Sequence, residues 1–174
     1  MEFKQIQLVL DKKIDQKTRR HYINGTNVVL HCHHYSTLYT QLALDADETD
    51  LLVDVGIEVF YNELVNYFET YGIDCVDEKI EIACQMYAAM GLGKMVVKSF
   101  GPDSGVVEVL RSHVDEGWIK KWGNHNEPVN YIGAAFCNAF FAAVNDVDPK
   151  SFTANEISSL AMGDEKCVFK VVKA

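Results

Sequence analysis

The spacing of apolar residues changes character once along this chain, and that change limits the folds open to it. Up to about residue 90, apolar positions recur every three or four residues, the period of helices that bury one face. After the Gly91/Gly93 pair the runs become short, β-branched and bounded by turn residues. Three helices are expected first. One covers about 28–44, with Leu30, Tyr35, Leu38, Tyr39 and Leu42 at helical spacing. A second covers about 48–71, with Leu51, Val55, Val59, Leu64, Phe68 and Tyr71 facing inward and Gly72 as its stop. The third starts on Asp77 as its N-cap and runs through Ile80, Ala83, Cys84 and Tyr87. Residues 94–100 and 106–112 then read as a hairpin around Gly-Pro-Asp-Ser-Gly, 128–144 as an Ala- and Phe-rich helix, and 152–161 with 167–172 as a closing hairpin. The expected fold is α+β: a four-stranded antiparallel sheet with helices packed on one face, preceded by an N-terminal helical extension. Residues 1–27 form that extension, with a turn at Asn24-Gly25, and 28–174 a single domain.

Bulk properties narrow the choice of partner. With 174 residues, 48% of them hydrophobic, the chain can bury one sizeable core. Its net charge of −9 argues against nucleic acid, whose binding footprint is basic. Basic residues do gather at the start (Lys4, Lys12, Lys13, Lys17, Arg19, Arg20), but acids are interleaved and the segment reads as solvated. No run reaches the ~18 apolar residues of a membrane span, and no signal-peptide pattern is present. Five widely spaced cysteines without a CxxC pair exclude a zinc ribbon and disfavour a disulfide framework. A cytoplasmic protein is expected. The chain carries no Gly-x-Ser-x-Gly elbow, phosphate-binding loop, dinucleotide fingerprint or His-Glu-x-x-His.

His31, His33 and His34 surround Cys32 and precede Tyr35. On a helix His31, His34 and Tyr35 share a face; on a strand His31 and His33 would. The helical reading makes His31, His34 and Tyr35 candidate ligand-binding residues, and His31 and His34 candidate metal ligands. Two imidazoles one turn apart can bind a transition metal, ligate the iron of a haem or other tetrapyrrole, or hydrogen-bond an organic molecule. A partly exposed polar turn accounts for them as well. His113 and Glu116 can form an acid/base pair; the preferred reading is a helix cap close to a capping box, with Ser112 bonding a free amide and Glu116 at the third helical position. Trp118 and Trp122 flank Lys120 and Lys121, as in a lid over a pocket or an ordinary amphipathic turn. Phe136 belongs to a set of helical aromatics that serves a core or a cavity wall, and the neighbouring alanine pairs fit either. His113, Trp118 and Phe136 complete the candidate ligand-binding set.

The most specific stretch is 131–174. Gly133 opens a small apolar helix, an alternating strand is anchored on Glu156, Met162-Gly163-Asp164 makes a tight turn, and Cys167 enters the last strand. With GLGKMVV and residues 112–118 upstream, this order resembles the C-terminal signature of the 4-vinyl reductase domain family, over roughly residues 50–174. The resemblance implies an α+β module that binds small hydrophobic molecules and dimerises through its helices. In aromatic-sensing members the closing motif is Glu-x-x-Cys-x-x-x-Gly-x-x-x-Cys, which holds a structural zinc together with one upstream cysteine. Here Glu156, Gly163 and Cys167 match, but Ser159 stands at the middle ligand position. The upstream position falls near Pro128, with Cys137 one turn beyond Gly133. Two of four ligands remain, so structural zinc is not expected. The expected function is a non-catalytic carrier or sensor of a small hydrophobic, aromatic or tetrapyrrole-type ligand, acting as a homodimer. The alternative is a metal- or cofactor-dependent enzyme, hydrolytic or redox, built on His31 and His34. A third reading is an interaction protein, because a related fold serves as a dimeric tethering subunit in vesicle transport.

Overall fold

The computed structural model describes residues 6–29 and 32–174. Asn24 and Gly25 organise its first part. Both have positive φ, 49° and 84°, as the two central residues of a type I′ turn require. The turn closes β2 (His21–Ile23) onto β3 (Thr26–Val28), with Ile23 opposite Thr26. β1 (Lys12–Ile14) pairs antiparallel on the other side of β2. The segment expected to be a helical extension is therefore a three-stranded meander. The tight turn matches the twist of paired strands, and each strand is too short to announce itself by alternation.

Three helices follow: α1 (His33–Asp45), α2 (Thr49–Tyr71) and α3 (Val76–Ala89). Gly72 ends α2 with φ 62°, in the left-handed region where glycine carries no penalty. The N-cap of α3 is Cys75; Asp77 lies inside the first turn with Glu78, where both favour the helix dipole. The segment ahead of β1 is fastened to these helices: the Leu8 amide donates to Gln85 Oε1 (2.8 Å), and the Val9 amide donates to Tyr67 Oη (2.8 Å).

The buried faces differ from expectation. α2 buries Ile57, Leu64, Tyr67 and Phe68, whereas Leu51, Val55 and Val59 are 59%, 53% and 50% exposed. α1 is inverted: Ser36, Thr37 and Thr40 are fully buried, and Tyr35, Leu38, Tyr39 and Leu42 face outward. Helical spacing identifies an apolar face but not what covers it.

The second sheet holds β4 (Gly93–Ser99), β5 (Ser104–Ser112), β6 (Phe152–Ser158) and β7 (Cys167–Lys173). It is four-stranded and antiparallel as expected, in the order β4-β5-β7-β6. Strand alternation turns Val107 and Val109 of β5, Phe152 and Ala154 of β6, and Cys167, Phe169 and Val171 of β7 into one core. The centre of that core is α5 (Tyr131–Asn145), buried from Gly133 to Val144 and filled by Phe136, Phe140 and Phe141. A helix apolar on all sides must be covered on all sides. The sheet covers one side and α2 another, at a contact so close that a Cβ on Gly56 would lie 2.7 Å from Ala135 Cβ. α4 (His113–Trp122) starts where β5 ends, and α1 packs against it.

Candidate functional site

Two places combine burial with unusual polar chemistry. The first is a cleft of about 660 Å³. Leu52, Val55, Val59, Glu63 and Tyr67 follow one another along α2 at three- and four-residue spacing and so share the face that lines it. Leu8, Leu10, Ile23 and Val28 come from the N-terminal segment, Met86 and Met90 from the end of α3, and Ser36 and Tyr39 from α1. Tyr39, Val55 and Val59 are about half exposed, so the cleft opens to the outside. Its lining is chiefly aliphatic. Tyr67 Oη is engaged by the Val9 amide, and Thr26 Oγ1 lies 3.4 Å from Glu63 Oε1. The Ser36 hydroxyl is fully buried and has no hydrogen-bond partner. Asp11 and Glu63 are the charged residues among the described lining, which includes no Lys, Arg or His.

The second place is a buried polar cluster where three helix starts meet the closing hairpin. Ser112, the last residue of β5, is the N-cap of α4 and accepts from the Asp115 amide (3.2 Å). Its hydroxyl also donates to Asp115 Oδ2, a reciprocal cap with Asp115 at the third helical position. Asp115 Oδ1 accepts from the Ser159 hydroxyl (2.7 Å) and the Ala161 amide (3.2 Å) at the 3₁₀ turn (Leu160–Met162). Asn130, the N-cap of α5, accepts from the Gly133 amide (2.9 Å) and donates through Nδ2 to Ser112 Oγ (3.0 Å). A Cβ on Gly133 would lie 2.8 Å from both Asn130 Oδ1 and Phe169 Cζ, which explains the glycine. Glu156 sits on the core side of β6, opposite Phe169, and its Oε2 accepts from the Asn130 amide (3.2 Å). Its Oε1 is buried without a partner. Burial, and then the Asp115 carboxylate, push the Glu156 carboxyl up to about 8. Burial likewise raises the Cys167 thiol, with Asp115 and Glu156 adding to the effect.

The structure thus brings Glu156 and Cys167 together and adds Asp115; donor atoms of the three lie within 4.8 Å of one another. The donors do not fit the structural zinc that the resemblance implies. Such a site takes four nitrogen, sulfur or carboxylate ligands, and Ser159 offers a hydroxyl that instead donates to Asp115. Both Asp115 oxygens are already engaged by Ser112, Ser159 and Ala161. Hydrogen bonds join the elements here.

The other candidate residues lie apart from both places or at their margins. His31 falls outside the described residues, and His34 and Tyr35 are exposed on the first turn of α1, with the Tyr35 ring 6.4 Å from Tyr39. His113 is half-buried at the start of α4. Ser112 caps α4 as the sequence indicated, but Asp115 completes the cap and Glu116 pairs with Arg111 at 2.6 Å. Trp118 is buried in a small cluster with Val129 and Ala161, stacked near Trp122 and His125. Phe136 is a core residue between Phe60 and Tyr87. None of these described candidates lines the cleft. Asp115 went unnoticed, although the Ser-x-x-Asp spacing from Ser112 carries a cap signal.

No family model matches the sequence, and no curated protein does. Solved structures match by shape. A vinyl-4-reductase family protein from Methanocaldococcus jannaschii aligns with a TM-score of 0.56, at 15% identity over 84% of this chain and 84% of its own. The chain has the 4-vinyl reductase fold. Within that fold, the phenol-responsive sensory domain of the transcription activator PoxR, solved with phenol, aligns at a TM-score of 0.77. That alignment covers 93% of this chain and 84% of the sensory domain at 12% identity. A trafficking protein particle complex subunit 3 from Naegleria fowleri, covalently bound to palmitic acid, reaches 0.54 over 81% of this chain and 91% of its own, at 12% identity. The stretch that resembles the 4-vinyl reductase signature is, in three dimensions, α5, β6, the 3₁₀ turn and β7. Among the described residues no helix is long and apolar enough to cross a membrane.

Proposed function

We propose that this 4-vinyl reductase fold is a non-catalytic binding module that holds a small apolar molecule in the cleft along α2, and that it works as a homodimer. The cleft carries the reading: about 660 Å³, mostly aliphatic, with the buried Ser36 hydroxyl left without a partner. Small-molecule sites commonly combine a largely apolar lining of this size with a few polar groups, and buried hydroxyls are rarely left unsatisfied. Two structures of the same fold support the class of ligand, one holding phenol and one palmitic acid. The described lining has no cysteine, so binding without a covalent thiol link is the expected mode.

The homodimer is supported by exposed apolar residues outside the cleft on two helices, Leu38 and Leu42 of α1 and Leu51 of α2, with Ser36, Thr37 and Thr40 of α1 buried instead. Exposed apolar surface on two consecutive helices is the mark of an interaction face.

The test of the cleft is native mass spectrometry and thermal shift of untagged protein against a panel of apolar molecules, with Val55→Trp to fill the opening. Saturable binding by the wild type that the folded variant loses is the expected result. Equal binding by both proteins would reject the cleft as the site, and no saturable binding by the wild type would reject the module.

A further inference from the structure

We infer that the cleft selects a ligand with an electrically neutral polar end and rejects carboxylate- or phosphate-headed amphiphiles; this rests on the cleft being the ligand site. Charge is the first observation. The described lining contains Asp11 and Glu63 and no basic side chain. Among the described lining residues an anionic head would find no counter-ion for the water it sheds, and would meet two groups of its own sign. Ser36 is the second. Its buried hydroxyl, on the α1 side of the cleft, has no partner and can donate or accept one hydrogen bond. One hydroxyl satisfies an alcohol, amide, ketone or phenol. It does not neutralise a carboxylate.

The rest of the lining sets the body of the molecule. Leu8, Leu10, Leu52, Val59 and Leu92 present branched aliphatic surface, while Met86 and Met90 supply unbranched side chains that adapt to irregular shapes. The occupant is a mainly apolar molecule with a single neutral hydrogen-bonding group, larger than one aromatic ring, since about 660 Å³ is a volume that holds drug-sized molecules.

The experiment compares 1-decanol with decanoate at neutral pH, two probes that differ only at the head, by competition against an environment-sensitive apolar dye. The wild type is expected to favour decanol by at least about tenfold. Part of that ratio comes from the stronger hydration of the carboxylate, so the decisive arm is Glu63→Lys. This variant should shift the decanoate-to-decanol affinity ratio towards decanoate by about tenfold. If it does not fold, Glu63→Gln should narrow the wild-type ratio by about threefold. Ser36→Ala should weaken decanol by about fivefold, the effect of one ordinary hydrogen bond. Decanoate binding to the wild type as tightly as decanol, or a ratio unmoved by the folded Glu63 variant, would overturn the inference while leaving an apolar binding module standing. Dye and both probes failing to bind the wild type would remove the module itself. A Val55→Trp variant that changes the oligomeric state and leaves probe binding intact would make the cleft a contact surface and overturn both.

Discussion

Glu156 lies in a buried polar cluster built around Asp115. Asp115 is fully buried, and its two oxygens accept hydrogen bonds from Ser112, Ser159 and Ala161. Glu156, nearby with one oxygen unpartnered, keeps its proton to about pH 8. Asp115→Ala removes the acceptor of the buried Ser112 and Ser159 hydroxyls. It should cost about 3 kcal/mol in urea denaturation, and a loss under about 1 kcal/mol would show the cluster to be incidental. For Glu156 the sign follows from the direction of the shift. The folded protein holds a proton that the unfolded chain releases above its ordinary value of 4.5. The contribution is therefore fully present below about 4.5 and is lost as pH rises through about 8. Stability should fall across that window by up to about 1.4 kcal/mol per pH unit. Glu156→Gln should flatten this slope in denaturation series at several pH values.

At the scale of elements, the contact of α2 with α5 joins the cleft to the core. Gly56 lines the cleft and also lets α2 approach Ala135. Gly56→Ala gains up to about 1 kcal/mol of helix propensity. That gain is outweighed by about 1–3 kcal/mol of overpacking, because the opposing Cβ is attached to backbone and cannot swing away. A lower Tm is expected, with partial recovery when Ala135→Gly is added. A Gly56→Ala protein as stable as the wild type would mean the two helices separate easily.

For the whole molecule, the outward apolar faces of α1 and α2 are the main unbalanced feature. A chain of 19.6 kDa should elute from size exclusion with light scattering at twice that mass. Leu42→Lys with Leu51→Lys, both outside the cleft lining, should give the single-chain mass while apolar probes still bind. A wild type that stays monomeric at high concentration would leave those faces to another partner.

Local signals carried a good part of the fold. The stop at Gly72, the turn at Asn24-Gly25, the cap at Ser112 and both hairpins of the larger sheet depend on neighbours a few residues apart, where backbone sterics and side-chain period act directly. The spacing from Glu156 to Cys167 was legible for the same reason, as was the serine that breaks the metal motif. Long-range packing decided the remainder. Helical period located the stripe Leu51, Val55, Val59 but was silent on whether core or solvent lay against it. That β7, not β6, pairs with β5 depends on how the closing hairpin docks. Asp115 met Ser159 from 44 residues away. The cleft draws on residues from Leu8 to Ile132, so no window of the chain contains its pattern. The amino-acid sequence by itself determined which segments are helix or strand over most of the chain, because those choices are short-range. Only the tertiary structure decided which faces are buried, which polar groups converge and where space is left open. Those are properties of contacts between segments that the chain order does not bring together.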